Sequence, residues 1–219
     1  MSELTLVIGN RNYSSWSLRP WILLRHLGLE FREIRLVLDT PEFAARIGEY
    51  SPSGRVPLLI HGEVRIWESI AILEYLSEFA GGRGWPAPAR ERALARSAAA
   101  EMHAGFATLR GAYPMNIRAR DRRVPVSAAL AQEIARIDRL WSDCRARCSG
   151  EGPWLFGAYS AADAMYLPVA FRFQTYGSAG LGESARAYLS TALADPLTEP
   201  WVRFAASESE VIEGDEVGR

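Results

Sequence analysis

Three serine hydroxyls that could hold an anion lie close together in residues 10–21, NRNYSSWSLRPW. They are Ser14, Ser15 and Ser17, and they stand between an apolar segment and an amphipathic one. A hydroxyl group is a poor base at neutral pH, but it can donate a hydrogen bond to an anion and favour the charged form. Helix capping is the alternative, because serine is a favoured N-cap residue and Pro20 suits the first turn of a helix.

The segments on either side predict how these serines are positioned. Residues 4–9, LTLVIG, are apolar on both alternating faces, which is typical of a strand buried on both sides of a sheet. After the polar stretch, Trp21, Leu24 and Leu27 recur at helical spacing up to Gly28. A strand, a polar loop and a helix start leave backbone N–H groups free near the serines, where the helix dipole also favours an anion.

The first 80 residues continue as alternating strands and helices. The pattern predicts a second strand over 31–38, a short helix over 42–47, a hairpin of 56–60 with 64–66, and a helix after Ser69. The resulting order, βαβαββα, indicates an α/β domain over 1–80 with a mixed sheet. Residues 81–89, GGRGWPAPA, have the composition of a linker.

Beyond the linker the pattern becomes helical, and no further strand is predicted. An all-helical domain is therefore expected over 90–206, followed by an acidic tail over 207–219 that should be disordered. A helical stripe ends in Cys144 and Cys148, and Ser160 with Asp163 resembles a capping box. Five helices are therefore predicted in this part of the chain. One covers 90–118, one carries the apolar residues that end at Cys148, one follows the capping box after Ser160, and two short ones cover 184–194 and 197–206.

Composition excludes several classes of protein. The 219 residues carry a formal net charge of −1, so no basic field points to nucleic acid or an anionic membrane. No apolar run is long enough for a membrane span, and no signal-peptide pattern is present, so a soluble cytoplasmic protein is expected. The two cysteines do not form a disulfide framework, and no histidine lies near them to complete a metal site.

Four features together resemble the glutathione S-transferases over roughly residues 3–205. They are the serines, the pair Val56-Pro57, the pair Glu68-Ser69 and the capped segment after 160. The zeta class is the most similar one, since its first-loop signature reads Ser-Ser-Cys-Ser-Trp-Arg and this chain reads SSWSLR over 14–19. The resemblance implies a thioredoxin-like domain followed by an all-α domain, a homodimer, and glutathione as co-substrate without a metal.

The resemblance also implies roles for individual residues. Ser14 is the first choice, and Ser15 the second, for the hydroxyl that donates to the glutathione thiolate. Pro57 matches the family's cis-proline, which would turn the Val56 backbone toward the peptide backbone of glutathione.

At the γ-glutamyl end, the Ser69 hydroxyl suits the carboxylate of glutathione, and Glu68 suits its ammonium group. Arg55 is a further candidate for a carboxylate, although a solvated surface position is the alternative for this arginine. For Ser14, Ser15 and Ser69, helix capping is the alternative to a contact with glutathione.

Three functions remain open on the sequence alone. The first is a glutathione transferase that attacks a small electrophile. The second is a glutathione-dependent isomerase of a maleyl-type diacid, with Arg11, Arg110 or Arg118 on the second carboxylate; Trp16, which replaces the family's cysteine, weakens it. The third is a protein that keeps the fold and serves only in binding or partner docking.

Overall fold

A computed structural model describes residues 3–219 of the chain. The N-terminal part confirms the predicted α/β order, with four strands in the spatial order β2-β1-β3-β4. Strand β1 pairs parallel with β2 and antiparallel with β3, and β3 pairs antiparallel with β4 as predicted for the hairpin. Residues 1 and 2 of the predicted domain 1–80 lie outside the described residues. The elements are β1 Leu4–Ile8, α1 Ser15–Leu27, β2 Phe31–Arg35, α2 Pro41–Tyr50, β3 Leu58–His61, β4 Val64–Trp67 and α3 Ser69–Phe79.

Strand β1 is buried on both faces, as its apolar run predicts. Leu6 and Ile8 point into the large core, which α1, α3 and the helical region share. Val7 points the other way, into a small core with Leu58 and Ile47 under α2. The period of two in a strand therefore places the sheet between two apolar layers.

The remainder is helical, as predicted, with bounds α4 Ala89–Ala104, α5 Ala107–Ala112, α6 Ala128–Arg147, α7 Ala161–Tyr176, α8 Glu183–Leu193 and α9 Glu199–Ser207. Helix α7 is buried along almost its whole length and packs on α1 and α4. Its N-terminus has the predicted capping box, in which the Asp163 carboxylate accepts from the Ser160 backbone N–H at 2.8 Å. Helix α7 thereby connects the helical region to the helix that carries the serines.

The single helix predicted over 90–118 is wrong. Helix α4 ends at Ala104, and Phe106 takes a left-handed conformation with φ of 57° before α5 begins. After Ala112 the chain is irregular as far as Ser127. The apolar pattern continues through the break because both helices pack on the same core, so periodicity alone does not reveal it.

The tail is predicted to be disordered from its composition, and the structure instead packs it against the N-terminal domain. Glu208 is buried and accepts from the backbone N–H groups of Arg11 at 2.8 Å and Asn12 at 3.0 Å. Glu216 accepts from the Tyr13 hydroxyl at 2.8 Å. The tail's carboxylates meet donors about 200 residues away, and composition carries no signal of such partners.

Candidate functional site

A cavity of about 230 Å³ lies between the sheet domain and helices α4 and α5. It brings together all five residues predicted to bind glutathione. Its lining consists of Trp16, Ser53, Arg55, Val56, Pro57, Glu68, Ser69, His103 and Arg110. A larger groove of about 940 Å³ beside Trp21 and Phe31 contains none of the predicted site residues. The smaller cavity is therefore the candidate site.

One wall of the cavity is the segment that leads into β3. The Val56-Pro57 peptide bond is cis, in agreement with the expectation from the resemblance. Pro57 is buried immediately before the first residue of β3, where its missing N–H leaves no gap in the strand pairing. Arg55 is exposed, and the structure gives its guanidinium no partner among residues 3–219.

The opposite wall is the start of α3. Glu68 has a φ of 65°, a conformation that costs a residue with a side chain about 1–3 kcal/mol. Its carboxylate lies 3.5 Å from Nε2 of His103. The Ser69 hydroxyl is buried and has no hydrogen-bond partner among the described residues. A strained residue beside an unpartnered buried hydroxyl, both facing a cavity, is the arrangement expected where a ligand completes the hydrogen bonding.

The serines are placed differently from the glutathione-binding residues. Ser14 is the N-cap of α1, but its side chain makes no capping hydrogen bond; it donates to Oγ of Ser17 at 2.7 Å. Ser15 Oγ accepts from Nη2 of Arg172 at 3.2 Å. Neither Ser14 nor Ser15 lines the cavity, and the side chain from this stretch that does so is Trp16.

Three arginines, which we call the pocket-side arginines, lie beside Trp16 or beside its neighbour Ser15. They are Arg19, Arg110 and Arg172. The guanidinium carbon of Arg19 lies 4.0 Å from the Trp16 ring centre, and that of Arg110 lies 5.3 Å from it. Cation–π contacts of this kind stabilise a guanidinium without neutralising its charge. Arg172, on α7, reaches the same region through its contact with Ser15.

Burial has a large effect on two of these arginines. Desolvation, followed by the charges of Arg172 and Arg110, lowers the pKa of Arg19 well below its ordinary value. Desolvation, followed by the charge of Arg110, lowers the pKa of Arg172 to about 10. With this pKa, Arg172 stays charged at neutral pH. The region behind Trp16 is therefore positive and dry.

Sequence reasoning missed Arg19 and Arg172 as parts of the site. The signal was present, because Arg19 stands among the apolar residues of α1, and Arg172 stands between Phe171 and Phe173 in an apolar helix. A charged residue on a buried face needs a reason, since burying a charge is costly. Of the arginines proposed for a second carboxylate, Arg11 pairs with Glu33, and Arg118 donates to Oη of Tyr13 at 2.9 Å.

Two further searches bear on the kind of site. Among residues 3–219, no group of three or more histidine, cysteine, aspartate or glutamate side chains could hold a metal ion. In the same part of the chain, none of the helices has the length and apolar character needed to cross a membrane.

Comparison with known proteins identifies the N-terminal part. Residues 13–78 match the family model for the N-terminal domain of glutathione S-transferase. A dichloromethane dehalogenase of Methylophilus leisingeri is 46% identical over 55 residues, which cover 23% of this chain and 20% of that protein. Glutathione S-transferase 1 of Dianthus caryophyllus is 36% identical over 67 residues, which cover 29% of this chain and 28% of that protein. The chain thus matches only 20% and 28% of the length of these two curated relatives.

Comparison of structures extends the likeness to the whole fold. A glutathione transferase homolog from Burkholderia (BGR1), solved with bound glutathione, superposes with a TM-score of 0.69 and 23% identity. The match covers 95% of this chain and 100% of that one. The fold of both parts of the chain, thioredoxin-like and helical, is therefore the one predicted.

Proposed function

We propose that this chain, which has the glutathione S-transferase fold and carries a glutathione S-transferase N-terminal domain over 13–78, is a glutathione transferase. It binds glutathione in the 230 Å³ cavity and activates the thiol for attack on a small electrophile. The observation that carries the proposal is the buried, unpartnered Ser69 hydroxyl at the start of α3, beside the strained Glu68.

Each end of the tripeptide has a candidate partner among the residues that line the cavity. Ser69 and the first N–H groups of α3 receive the γ-glutamyl carboxylate, and Glu68 receives the ammonium group. The Val56 backbone pairs with the cysteine residue of glutathione, as an added strand would. Arg55, on the exposed rim, takes the glycine carboxylate.

Thiol activation needs a donor and a positive environment. Ser14 and Ser15 both stand at the N-terminus of α1, where the helix dipole favours a thiolate. The Ser14 hydroxyl already donates to Ser17, whereas Ser15 Oγ is seen only as an acceptor from Arg172. Ser15 therefore has its proton free to donate, and on this ground we place it ahead of Ser14. A small rotation of the loop side chains must bring the hydroxyl to the thiol, since neither serine lines the cavity.

A glutathione-dependent isomerase of a maleyl-type diacid is the second candidate. Arg110 favours it, because it lines the cavity and its guanidinium makes no hydrogen bond within residues 3–219. Trp16, in place of the zeta-class cysteine, weighs against it. Zeta-like specificity, a homodimer across α3 and the helices that follow, and a cytoplasmic location are further proposals, and light scattering tests the dimer.

The test is a spectrophotometric titration of the bound glutathione thiol in the wild type, Ser14→Ala and Ser15→Ala. A charge-assisted hydrogen bond of about 1.5–3 kcal/mol lowers a pKa by roughly one to two units. We expect Ser15→Ala to raise the pKa of the bound thiol by about that amount, with Ser97→Ala, on an exposed turn of α4, as the matched control.

A larger effect of Ser14→Ala reverses the order of the two serines and leaves the transferase in place. Binding of glutathione with an unshifted thiol pKa contradicts the proposed activation. Absence of glutathione binding contradicts the function itself and favours a docking role.

A further inference from the structure

The pocket-side arginines are the strongest charged feature of the molecule that glutathione binding does not use. Within residues 3–219, no carboxylate lies within ion-pair distance of Arg19, Arg110 or Arg172. Asp215 acts on Arg172 from farther away. Buried arginines are ordinarily paired with an anion, because the desolvated charge is otherwise costly.

Each of the three guanidiniums also has a hydrogen-bond donor that finds no acceptor among residues 3–219. These atoms are Nη2 of Arg19, Nε of Arg110 and Nε of Arg172, and all three are buried. The other donors of Arg19 reach backbone carbonyl groups, such as that of Met165 at 3.1 Å. Buried donors are nearly always satisfied in folded proteins, so three unsatisfied ones in a single cluster indicate a missing acceptor.

Only Arg110 of this cluster lines the cavity, and it does so beside Trp16. The cavity's other ionisable side chains are Arg55, Glu68 and His103. The proposed function assigns Arg55 and Glu68 to the two ends of glutathione. Arg110 and the Trp16 ring then form the part of the cavity that is left for the second substrate, with Arg19 and Arg172 adding positive potential from behind.

We propose that the second substrate is an aromatic or unsaturated electrophile with a carboxylate group, which pairs with Arg110 while the apolar part packs on Trp16. This inference rests on the proposed function. In the reaction, the glutathione thiolate forms a carbon–sulfur bond at the electrophilic carbon. With an aryl chloride, chloride leaves with the bonding electron pair, and the thiol proton has already passed to solvent. With an unsaturated electrophile, the π bond breaks instead, and the neighbouring carbon takes a proton from solvent. Arg110 binds and orients the substrate and takes no part in the bond changes.

The test compares two glutathione conjugates of equal shape that differ in charge. One is made from para-chloro-dinitrobenzoate, the other from the matching carboxamide, and calorimetry measures the binding of each. We expect the wild type to bind the carboxylate conjugate at least about tenfold more tightly, as one charge-assisted hydrogen bond implies. Arg110→Ala should abolish this preference while leaving the affinity for glutathione itself within about twofold.

The matched control is Arg139→Ala, which removes one positive charge from an exposed position on α6. It should leave the preference unchanged, because exposed charges at a distance are screened. Arg110→Lys should keep part of the preference, since it keeps the charge and loses the planar fork.

Each other outcome overturns the inference in a recognisable way. Equal affinity of the wild type for the two conjugates, with glutathione bound normally, contradicts the charged second substrate and leaves the transferase intact. A loss in Arg110→Ala that is equal for both conjugates and for glutathione assigns the arginine to glutathione. Failure of all three compounds to bind overturns the proposed function and this inference with it.

Discussion

Two groups of arginines, one at the C-terminal tail and one beside the cavity, have opposite surroundings. The tail-side arginines, which are Arg11, Arg35, Arg118 and Arg122, each have an acidic side chain or a carbonyl oxygen of the tail or sheet as partner. Arg35, for example, donates to Glu210 at 2.6 Å, and Arg122 to Glu216 at 2.8 Å. The pocket-side arginines have no carboxylate within ion-pair distance in the described chain.

This difference separates arginines that hold the fold from arginines that await a ligand. The tail-side group joins the first loop to the C-terminal segment, and its charges are neutralised inside the protein. In the pocket-side group, Arg19 and Arg172 are more deeply buried than the tail-side arginines, and none of the three has a carboxylate within ion-pair distance among residues 3–219. A fold gains nothing from such a cluster, since like charges in a dry environment repel. The cluster is therefore better explained by what binds there.

The largest change in the free energy of unfolding is expected from removing the carboxylate of Glu208 in the tail. Glu208→Ala leaves two buried backbone N–H groups, those of Arg11 and Asn12, without an acceptor. Each unsatisfied group costs about 1–3 kcal/mol, so the free energy of unfolding should fall by about 3 kcal/mol in urea denaturation. Glu213→Ala, at an exposed tail position, is the matched control and should change it by less than about 0.5 kcal/mol. Equal small effects for both variants contradict an ordered tail.

A change of intermediate size is expected in the pH dependence of the free energy of unfolding, which tests the neighbouring carboxylates Asp215 and Glu216. Burial, above all, raises the pKa of Asp215, which lies toward Arg172, to about 6 from 3.8. Burial also acts to raise the pKa of Glu216, but hydrogen bonds from Tyr13, Asn116 and Arg219 outweigh it, so that this pKa is lowered.

The two carboxylates should therefore affect the unfolding free energy with opposite signs. The folded state holds the Asp215 proton more tightly than the unfolded chain, so this residue's contribution falls as pH rises from about 4 to about 6. Glu216 contributes above its ordinary pKa of 4.5 and loses its contribution as pH falls below that value. Asp215→Asn should reduce the fall in unfolding free energy between about pH 4 and pH 6, and Glu216→Gln should reduce the loss below pH 4.5. Each is measured as a difference from the wild type. If both substitutions change the pH dependence of the unfolding free energy in the same direction, the proposed difference between the surroundings of Asp215 and Glu216 is contradicted.

The smallest effect on stability is expected at the cavity. Arg110→Ala removes a side chain without a hydrogen bond within residues 3–219, so the free energy of unfolding should change by less than about 0.5 kcal/mol. Arg118→Ala removes hydrogen bonds to the Tyr13 hydroxyl and to the Glu210 carbonyl oxygen. In the same urea denaturation series it should lower the free energy of unfolding by more than Arg110→Ala does. If Arg110→Ala is the more destabilising of the two, Arg110 has a structural partner and the comparison fails.

Local patterns predict the fold well because its signals lie within a few residues of one another. The apolar run of β1, the glycine at 28 in left-handed conformation with φ of 67°, and the capping box at Asp163 all act over one turn or one strand. These are parts of the fold that the sequence predicts correctly. Val56, Pro57, Glu68 and Ser69 come from short motifs as well, and the structure brings them to one cavity; their role in binding glutathione stays a prediction.

The parts that the sequence does not predict depend on distant partners. Nothing near Arg118 indicates that it will meet Tyr13, or that Arg110, only eight residues earlier, will meet no acceptor. The break at Phe106 is similarly hidden, because α4 and α5 share one apolar face. Which of Ser14 and Ser15 keeps a free proton depends on Ser17 and on Arg172, which lies 157 residues away.

The contact between Glu208 and the backbone of Arg11 and Asn12 has a consequence for how the chain is made. The two ends of that contact are 197 residues apart, so it is among the last to form during synthesis on the ribosome. The loop that precedes the serines therefore gains these two hydrogen bonds only after the acidic segment has emerged from the ribosome.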